Sequence, residues 1–437
     1  MNLLLLSLWV QIASAVIVLL RNRNPFSPFL ILHAGFVFTT FSVLTNQLLP
    51  DPLGVKRSLQ FTLSAEVSTY LLLASVIMFI ITLFLPKGPI GKIPGRIELR
   101  FEKLVLLGIS ALCLGELAVG VVLGGGVPLL VMGRGGASGY GDFRIGFLSV
   151  VAHGSAKFLF LYLMLRLLNF KGYSFEFLRD NFLLIFVTIG CLGMNFLGGL
   201  RNLLLLPLIF AAYVLLDSII LTKRLKFMIF ISAVLFVPIF FVVIGSFRTS
   251  SLKFTGLLLA NPTDIAWLDS ALSWFYLYLF PSYLNLDGLL VSFSEFQHGR
   301  ILLSLIIPDR ILWEFGLLPQ VTAIEYLSSN LLLPYSGLTF RTLFADLYAD
   351  FGYAGSLLTG AFFLGASVWL YRKRGQSLLC MFLFMNCFKG LYMFPLKFSF
   401  LTQYDILPIV LFLLLVKYSP LDMPVNRRRG RMVRLSS

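Results

Sequence analysis

The chain has 437 residues, of which 58% are hydrophobic and only 13% are charged. Soluble domains carry about twice that share of charged residues, so the composition excludes an ordinary soluble protein. The net charge of +15 at pH 7 raises the question of nucleic-acid binding. The basic residues, however, fall in short segments between apolar ones, as they do in membrane proteins. We therefore expect no nucleic-acid partner.

Apolar windows of about twenty residues recur along the whole chain, each long enough to cross the hydrocarbon core of a bilayer. Short alternating strands of the kind that build membrane barrels are absent. The sequence predicts an all-α, polytopic integral membrane protein with about eleven transmembrane helices. No basic segment precedes the first apolar run, so we expect an uncleaved span and not a signal peptide. The predicted spans are 2–20, 28–48, 62–85, 104–124, 146–168, 182–200, 203–221, 227–247, 351–371, 377–396 and 402–417.

The loops between these spans alternate in charge, and this alternation predicts the topology. Basic residues concentrate in one set of loops and in the C-terminal tail, which the positive-inside rule places in the cytoplasm. The N-terminus and the long loop are then extracytoplasmic, and the tail lies against anionic lipid. The predicted organisation is an N-terminal bundle (1–247), a large extracytoplasmic loop with short helices (248–350), C-terminal transmembrane helices (351–417) and a basic cytoplasmic tail (418–437).

Several ionisable residues fall inside the predicted spans, where a charge is costly and often functional. Glu116 and Lys157 are expected at similar depth on neighbouring antiparallel spans. Two interpretations stay open: a neutralising structural pair, or a wet cavity that substrate reaches. His153 lies one turn before Lys157 on the same helix face. Lys389 has no evident partner, and Asp405 is predicted near the outer membrane boundary.

At least four arginines are predicted at the outer boundary of the membrane, on different segments of the chain. Guanidinium groups stay charged and bind phosphate oxygens in pairs, so convergent arginines would hold a phosphate or pyrophosphate. Snorkelling to lipid headgroups is the alternative. The arginines are Arg134 and Arg144 around a glycine-rich segment, Arg201 in a short turn, Arg248 after the eighth span and Arg341 before the ninth.

The large loop contains the candidate proton-transfer group. His298 lies close to Glu295 and Arg300, and a histidine titrates in the range that suits a general base at neutral pH. A plain surface histidine is the alternative. Aromatic residues between 267 and 283 fit either an interfacial belt or a platform for sugars.

The segment 341–350 shows a helical pattern directly before the ninth span. Arg341 and Tyr348 share one face of that helix, and Asp346 lies beside them. This spacing predicts a cation, a carboxylate and a phenol near one another at the membrane surface.

No cofactor or metal site is expected. The chain has three scattered histidines and no paired acidic motif, which leaves no ligand set with standard spacing. The four cysteines lie in apolar segments without a CxxC pair and are interpreted as small buried hydrophobes. They are Cys113, Cys191, Cys380 and Cys387.

Three motifs accompany this layout: Gly-Leu-Arg201-Asn, Gly-Ser-Phe-Arg248, and the run TLFADLYADFGYAG from Thr342 to Gly355, which leads directly into a span. In these motifs and in its architecture the chain resembles the O-antigen polymerase and oligosaccharide repeat-unit polymerase family of bacterial envelopes. The related O-antigen ligases share the layout and use a histidine of the large outer loop. The resemblance covers most of the chain in architecture and some thirty residues in motif.

The resemblance implies a GT-C-like glycosyltransferase of the cell inner membrane that works without a metal on its extracytoplasmic face. The donor would be a glycan on undecaprenyl pyrophosphate, and the acceptor a lipid-linked repeat unit. A chain-length regulator and a flippase of the same pathway are possible partners. The implied roles are pyrophosphate binding by Arg201, Arg248 and Arg341, with Arg134 and Arg144 as second choices; proton transfer by His298, Glu295 or Asp346; and other substrate contacts by Arg300, Tyr348 and Lys157.

Three other functions stay open at this point. A ligase-like enzyme would transfer the glycan to a different acceptor. A flippase or other transporter for lipid-linked oligosaccharides would need charges along a path through the bilayer, which only Glu116, Lys157 and Lys389 offer. A non-catalytic scaffold would tolerate the loss of single arginines.

Overall fold

The computed structural model of the protein is almost entirely helical, as the composition predicts. It describes residues 2–48, 63–88, 95–131, 145–170, 174–198, 202–217, 221–232, 282–291, 296–307, 342–396, 399–400 and 402–420. Within these ranges the helices form a bundle, with one short strand pair at one end.

The helices of the N-terminal part follow the first seven predicted spans closely, whereas most of the eighth, 227–247, lies outside the described residues. They are α1 (Asn2–Asn22), α2 (Pro28–Leu48), α3 (Ala65–Thr82), α4 (Glu102–Gly124), α5 (Pro128–Val131), α6 (Gly146–Asn169), α7 (Ser174–Asp180), α8 (Phe182–Leu197), α9 (Asn202–Asp217) and α10 (223–232). Strand β1 (Gly95–Leu99) precedes α4.

The helices of the C-terminal part are more interrupted than the prediction. They are α11 (282–291), α12 (Arg300–Ile306), α13 (Leu343–Lys373), α14 (Leu378–Asn386), α15 (Phe388–Met393) and α16 (Gln403–Leu415). Strand β2 (Val416–Pro420) ends the described chain and pairs with β1 in antiparallel register. The sequence analysis predicted no strands.

Lipid-facing surfaces identify the chain as a membrane protein. The helices α1, α3, α4, α6 and α13 are long and apolar enough to cross a bilayer. Large apolar side chains point outward from the bundle, such as Leu107, Val122 and Phe186, with 68%, 79% and 67% of their surface exposed. Such a surface is unfavourable in water and favourable in lipid. The chain is therefore a mostly helical membrane protein.

The bundle has two ends of different character. One end, here called the basic end, contains Arg21 and the paired strands β1 and β2. There Arg21 donates to the carbonyl oxygen of Leu83 at 2.7 Å. The opposite end, here called the loop end, contains the start of α3, residues 296–302 and Gly352. Ser64 caps α3 there and also donates its hydroxyl to Asp287 of α11.

The chain reverses direction inside α13, at Gly352. This residue has φ 67° and ψ −167°, a conformation that is nearly restricted to glycine. A Cβ on Gly360 would lie 2.7 Å from the ring of Phe344, although residues this far apart in a straight helix are separated by about 24 Å. A short arm (343–351) therefore folds back along a long arm (353–373) and returns about 12 Å into the bundle.

Part of the segment predicted as an outer loop is packed among the apolar helices. Every residue from 343 to 350 is buried, and the backbone N–H of Leu343 donates to the carbonyl of Phe394 at 3.1 Å. Helix α11 is also buried, with the hydroxyl of Tyr283 2.9 Å from that of Thr40 on α2. The loop is thus anchored inside the bundle at two places.

The reversal gives a first prediction. Gly352→Ala should lower the free energy of unfolding by about 1–3 kcal/mol, because the required backbone conformation strains any residue with a Cβ and the new Cβ would lie 3.1 Å from the Phe296 ring. Gly365→Ala in the long arm is the control, since nothing lies within 4 Å of its added Cβ. Thermal unfolding in detergent measures both variants; equal melting temperatures would contradict the reversal.

Candidate functional site

Two segments that are distant in sequence are clamped together at the loop end. The backbone N–H groups of Gln297 and His298 donate to the carbonyl oxygens of Ala349 and Asp350, each at 2.9 Å. The Asp350 carboxylate accepts the N–H groups of Ile301 at 2.9 Å and of the next residue at 2.7 Å. These four hydrogen bonds, here called the clamp, fasten residues 297–302 to the end of the short arm.

Local sequence explains why the clamp forms. Gly299 precedes α12 with φ 89°, and His298 has φ 51°, so the chain turns sharply before the helix. The Phe296 ring meets the Tyr348 ring edge to face, with centroids 5.7 Å apart. A Cβ on Gly352 would lie 3.1 Å from the same Phe296 ring. The glycine and the ring thus allow the two segments to approach closely.

The clamp brings four of the predicted site residues into one region. His298 and Arg300 are exposed on the clamped loop, whereas Asp346 and Tyr348 are buried in the short arm. Helix α12 also packs against α16. The other predicted residues of this region and of the arginine set lie outside the described residues; they are Arg134, Arg144, Arg201, Arg248, Glu295 and Arg341.

A second group of polar residues is embedded in the bundle. The Lys157 ammonium on α6 pairs with the carboxylate of Asp405 on α16 and donates to the carbonyl of Asn386, at the end of α14, at 2.9 Å. The other oxygen of Asp405 accepts the backbone N–H and hydroxyl of Thr402, at 2.8 and 2.6 Å. The Lys157 ammonium therefore joins α6 to α14 and α16, and the Asp405 carboxylate caps the start of α16.

This arrangement corrects two predictions. Glu116 does not pair with Lys157: it accepts the Ser149 hydroxyl at 2.9 Å and lies 3.7 Å from His153. Glu116 contacts α6 at Ser149 and His153, one to two turns nearer the loop end than Lys157. The partner of Lys157 is Asp405 instead. Asp405, expected near the outer boundary where water is available, is instead fully buried among the helices, where it pairs with Lys157.

The embedded residues form a connected network. The Lys389 ammonium lies 5.6 Å from the centre of the Tyr404 ring, and the His153 ring packs against the same tyrosine at 5.7 Å. Lys389 also lies within electrostatic reach of Asp405. The network joins Glu116 to Lys157, and its histidine, lysine and carboxylate side chains are at most 9% exposed. Two ammonium groups in it are matched by two carboxylates.

Sequence reasoning missed the two aspartates that organise these groups, Asp350 and the buried Asp405. Asp350 follows Asp346 by one helical turn and precedes Gly352 by two residues, a spacing that could have indicated a cap beside a turn. The partner of Asp405 is 248 positions away, and no local pattern reveals such a contact.

Comparison with protein-family models, with curated protein sequences and with solved structures finds no match for this chain. Among the residues that the structure describes, no three His, Cys, Asp or Glu side chains are grouped so as to hold a metal ion. Function is therefore inferred from the geometry of the clamp and of the embedded network.

The embedded network gives a second prediction, a ranking of two variants. Asp405→Asn should destabilise the protein more than Lys157→Met, because it leaves two buried ammonium groups without their shared carboxylate, whereas Lys157→Met leaves Lys389 facing Asp405. Breaking a buried ion pair costs about 3–5 kcal/mol. Thermal unfolding in detergent measures both variants, with Asp180→Asn, in an exposed pair with Arg179, as the control. The reverse ranking would show that Lys389 does not compensate for the lost lysine.

Proposed function

We propose that this protein is a membrane glycosyltransferase that polymerises undecaprenyl-pyrophosphate-linked repeat units into a surface polysaccharide such as O-antigen, capsule or exopolysaccharide. The observation that supports it best is the clamp. It holds a loop with His298 and Arg300 against a re-entrant helix with Asp346 and Tyr348. A lipid-linked donor needs such a region, with polar groups for pyrophosphate and sugar beside an apolar bundle for the lipid.

The proposal includes a topology in the cell inner membrane. The basic end lies in the cytoplasm, because positively charged loops are retained there, and the loop end is extracytoplasmic. The proposed fold is GT-C-like with about eleven spans. Donor and acceptor then meet at the loop end, and a flippase supplies both from the cytoplasmic side.

The proposed reaction transfers the growing glycan to a hydroxyl of the acceptor sugar. The acceptor oxygen attacks the anomeric carbon of the donor, whose bond to the pyrophosphate oxygen breaks, and undecaprenyl pyrophosphate leaves with the bonding electrons. Guanidinium groups stabilise the negative charge of the leaving group. We assign this role to Arg300 together with Arg201, Arg248 and Arg341, and Arg134 and Arg144 remain second choices.

A base must remove one proton from the attacking hydroxyl. His298 is the preferred candidate, because it is exposed at the clamp and an imidazole nitrogen can accept a proton. Asp346 lies deeper in the short arm, where 5% of its surface is exposed, and Glu295 remains a candidate from the sequence. Tyr348, which packs on Phe296, would line the sugar site.

A transporter of lipid-linked oligosaccharide is the second candidate, and the embedded network favours it. Helix α16 starts inside the bundle at Gln403, and the helical run 378–393 is interrupted at Cys387. Interrupted helices beside buried charges are common at transporter binding sites. A ligase differs from both candidates only in its acceptor, which the product of the reaction reveals.

The third prediction tests the polymerase directly. Purified protein in detergent, given a lipid-pyrophosphate-linked oligosaccharide with EDTA present, should produce a ladder of products on a gel. Arg300→Ala should slow the reaction about 100-fold, because it removes one charge that stabilises the leaving group. Arg248→Ala and Arg341→Ala should act in the same direction. Arg179→Ala is the control, since this exposed arginine lies on α7, remote from the clamp in sequence.

The outcomes separate the candidate functions. A ladder that persists at full rate in Arg300→Ala would remove this residue from the site, and a single addition to another acceptor would indicate a ligase. Absence of any product, combined with loss of polysaccharide export in cells carrying Glu116→Gln or Lys157→Met at normal protein level, would favour the transporter.

A further inference from the structure

We propose that Asp350 is a positioning residue, which holds His298 and Arg300 in their working places without touching substrate. The inference rests on the proposed function, which gives His298 and Arg300 their roles, whereas the clamp itself is a property of the fold. Asp350 lies in the short arm and is fully buried.

The contacts of Asp350 show why it does not act as the base. One carboxylate oxygen accepts the N–H of Ile301 at 2.9 Å, and the other accepts the N–H of Leu302 at 2.7 Å. These N–H groups belong to the first turn of α12, where no helical carbonyl is available to them. Both oxygens are therefore engaged with the backbone, as in an N-terminal helix cap.

The same contacts restrict the two candidate side chains. His298 and Arg300 flank Gly299, and the chain is tied on both sides of this glycine. On one side the N–H of His298 donates to the carbonyl of Asp350 itself at 2.9 Å; on the other side the carboxylate holds Ile301. A single residue thus fastens the loop through its backbone and its side chain.

This arrangement differs from a cap that merely stabilises a helix. Helix α12 has only seven residues, too few to be stable alone, so its position depends on what it is attached to. Without the carboxylate, the start of α12 would lose two of the four clamp bonds, and His298 and Arg300 would lose their fixed relation to Asp346 and Tyr348.

The test combines hydrogen exchange with kinetics on the full-length protein in detergent. Hydrogen exchange is followed by mass spectrometry on peptides that cover residues 296–307, in wild type, Asp350→Asn, Asp350→Ala and the control Asp180→Asn. In Asp350→Ala the amides of Ile301 and Leu302 should exchange about tenfold faster, the effect of losing an N-terminal cap. Asp350→Asn should lie between, because its amide oxygen can still accept one bond.

The kinetic arm uses the ladder assay and a double-mutant cycle. Asp350→Ala should lower the rate at least as much as Arg300→Ala, because it releases His298 as well as Arg300, and the double variant should be no slower than Asp350→Ala alone. Rate losses that multiply would show that Asp350 acts through general stability, and would overturn the proposal.

The two arms fail independently. Unchanged exchange at Ile301 and Leu302 in Asp350→Ala would overturn the clamp, whatever the protein catalyses. Faster exchange together with no product from the wild-type protein would keep the clamp and overturn the proposed function.

Discussion

Inside a bilayer every backbone polar group and every charge needs a partner within the protein, because lipid offers none. The pair of Lys157 and Asp405 shows what this constraint does to the architecture. Helix α16 has 13 residues, about 20 Å, which is too short to cross the hydrocarbon core. Its first turn is acceptable inside the bundle because Asp405 satisfies Thr402, and Lys157 in turn neutralises Asp405.

The short arm of α13 and the interrupted C-terminal helices share a backbone hydrogen bond inside the bundle. The short arm begins inside the protein, where its first N–H groups have no helical partner. The N–H of Leu343 donates to the carbonyl of Phe394. Phe394 lies at the end of the helical run that precedes α16. The surrounding rings of Phe36, Phe344 and Phe394 pack against one another at 5.5–6.3 Å. The re-entrant arm and the interrupted C-terminal helices therefore depend on the same contact.

The sequence could predict where helices occur but not where the chain reverses. Twenty apolar residues must be helical in lipid, so α1, α4 and α6 were predictable within a few residues. At Gly352 the apolar helical pattern is the same whether the helix continues or folds back; only the tertiary contact of Phe344 with Gly360 distinguishes the two. The strand pair joins short segments from distant parts of the chain, which local propensity does not reveal.

The sequence could predict which residues belong to the candidate site but not how the fold brings them together. His298 and Asp346 stand out in the sequence because titratable groups are rare in this chain. Their meeting depends on hydrogen bonds between 297–302 and 349–350 in which every donor is a backbone N–H, and such donors leave no trace in side-chain chemistry. From the sequence alone, Asp350 resembles a surface aspartate, because its two backbone N–H donors, Ile301 and Leu302, are distant in sequence.

The electrostatics of the two polar groups favour the loop end as the site of chemistry. The embedded network contains two ammonium groups and two carboxylates, and its central ion pair joins the helices that bury it. At the clamp, by contrast, His298 and Arg300 are held by their backbones, and their side chains stay exposed. A fold that fixes the backbone of a histidine and an arginine while leaving their side chains exposed can present both side chains to a ligand outside the bundle. The anionic lipid-linked donor of the proposed function would fit this arrangement, because its pyrophosphate would lie where its lipid enters the membrane.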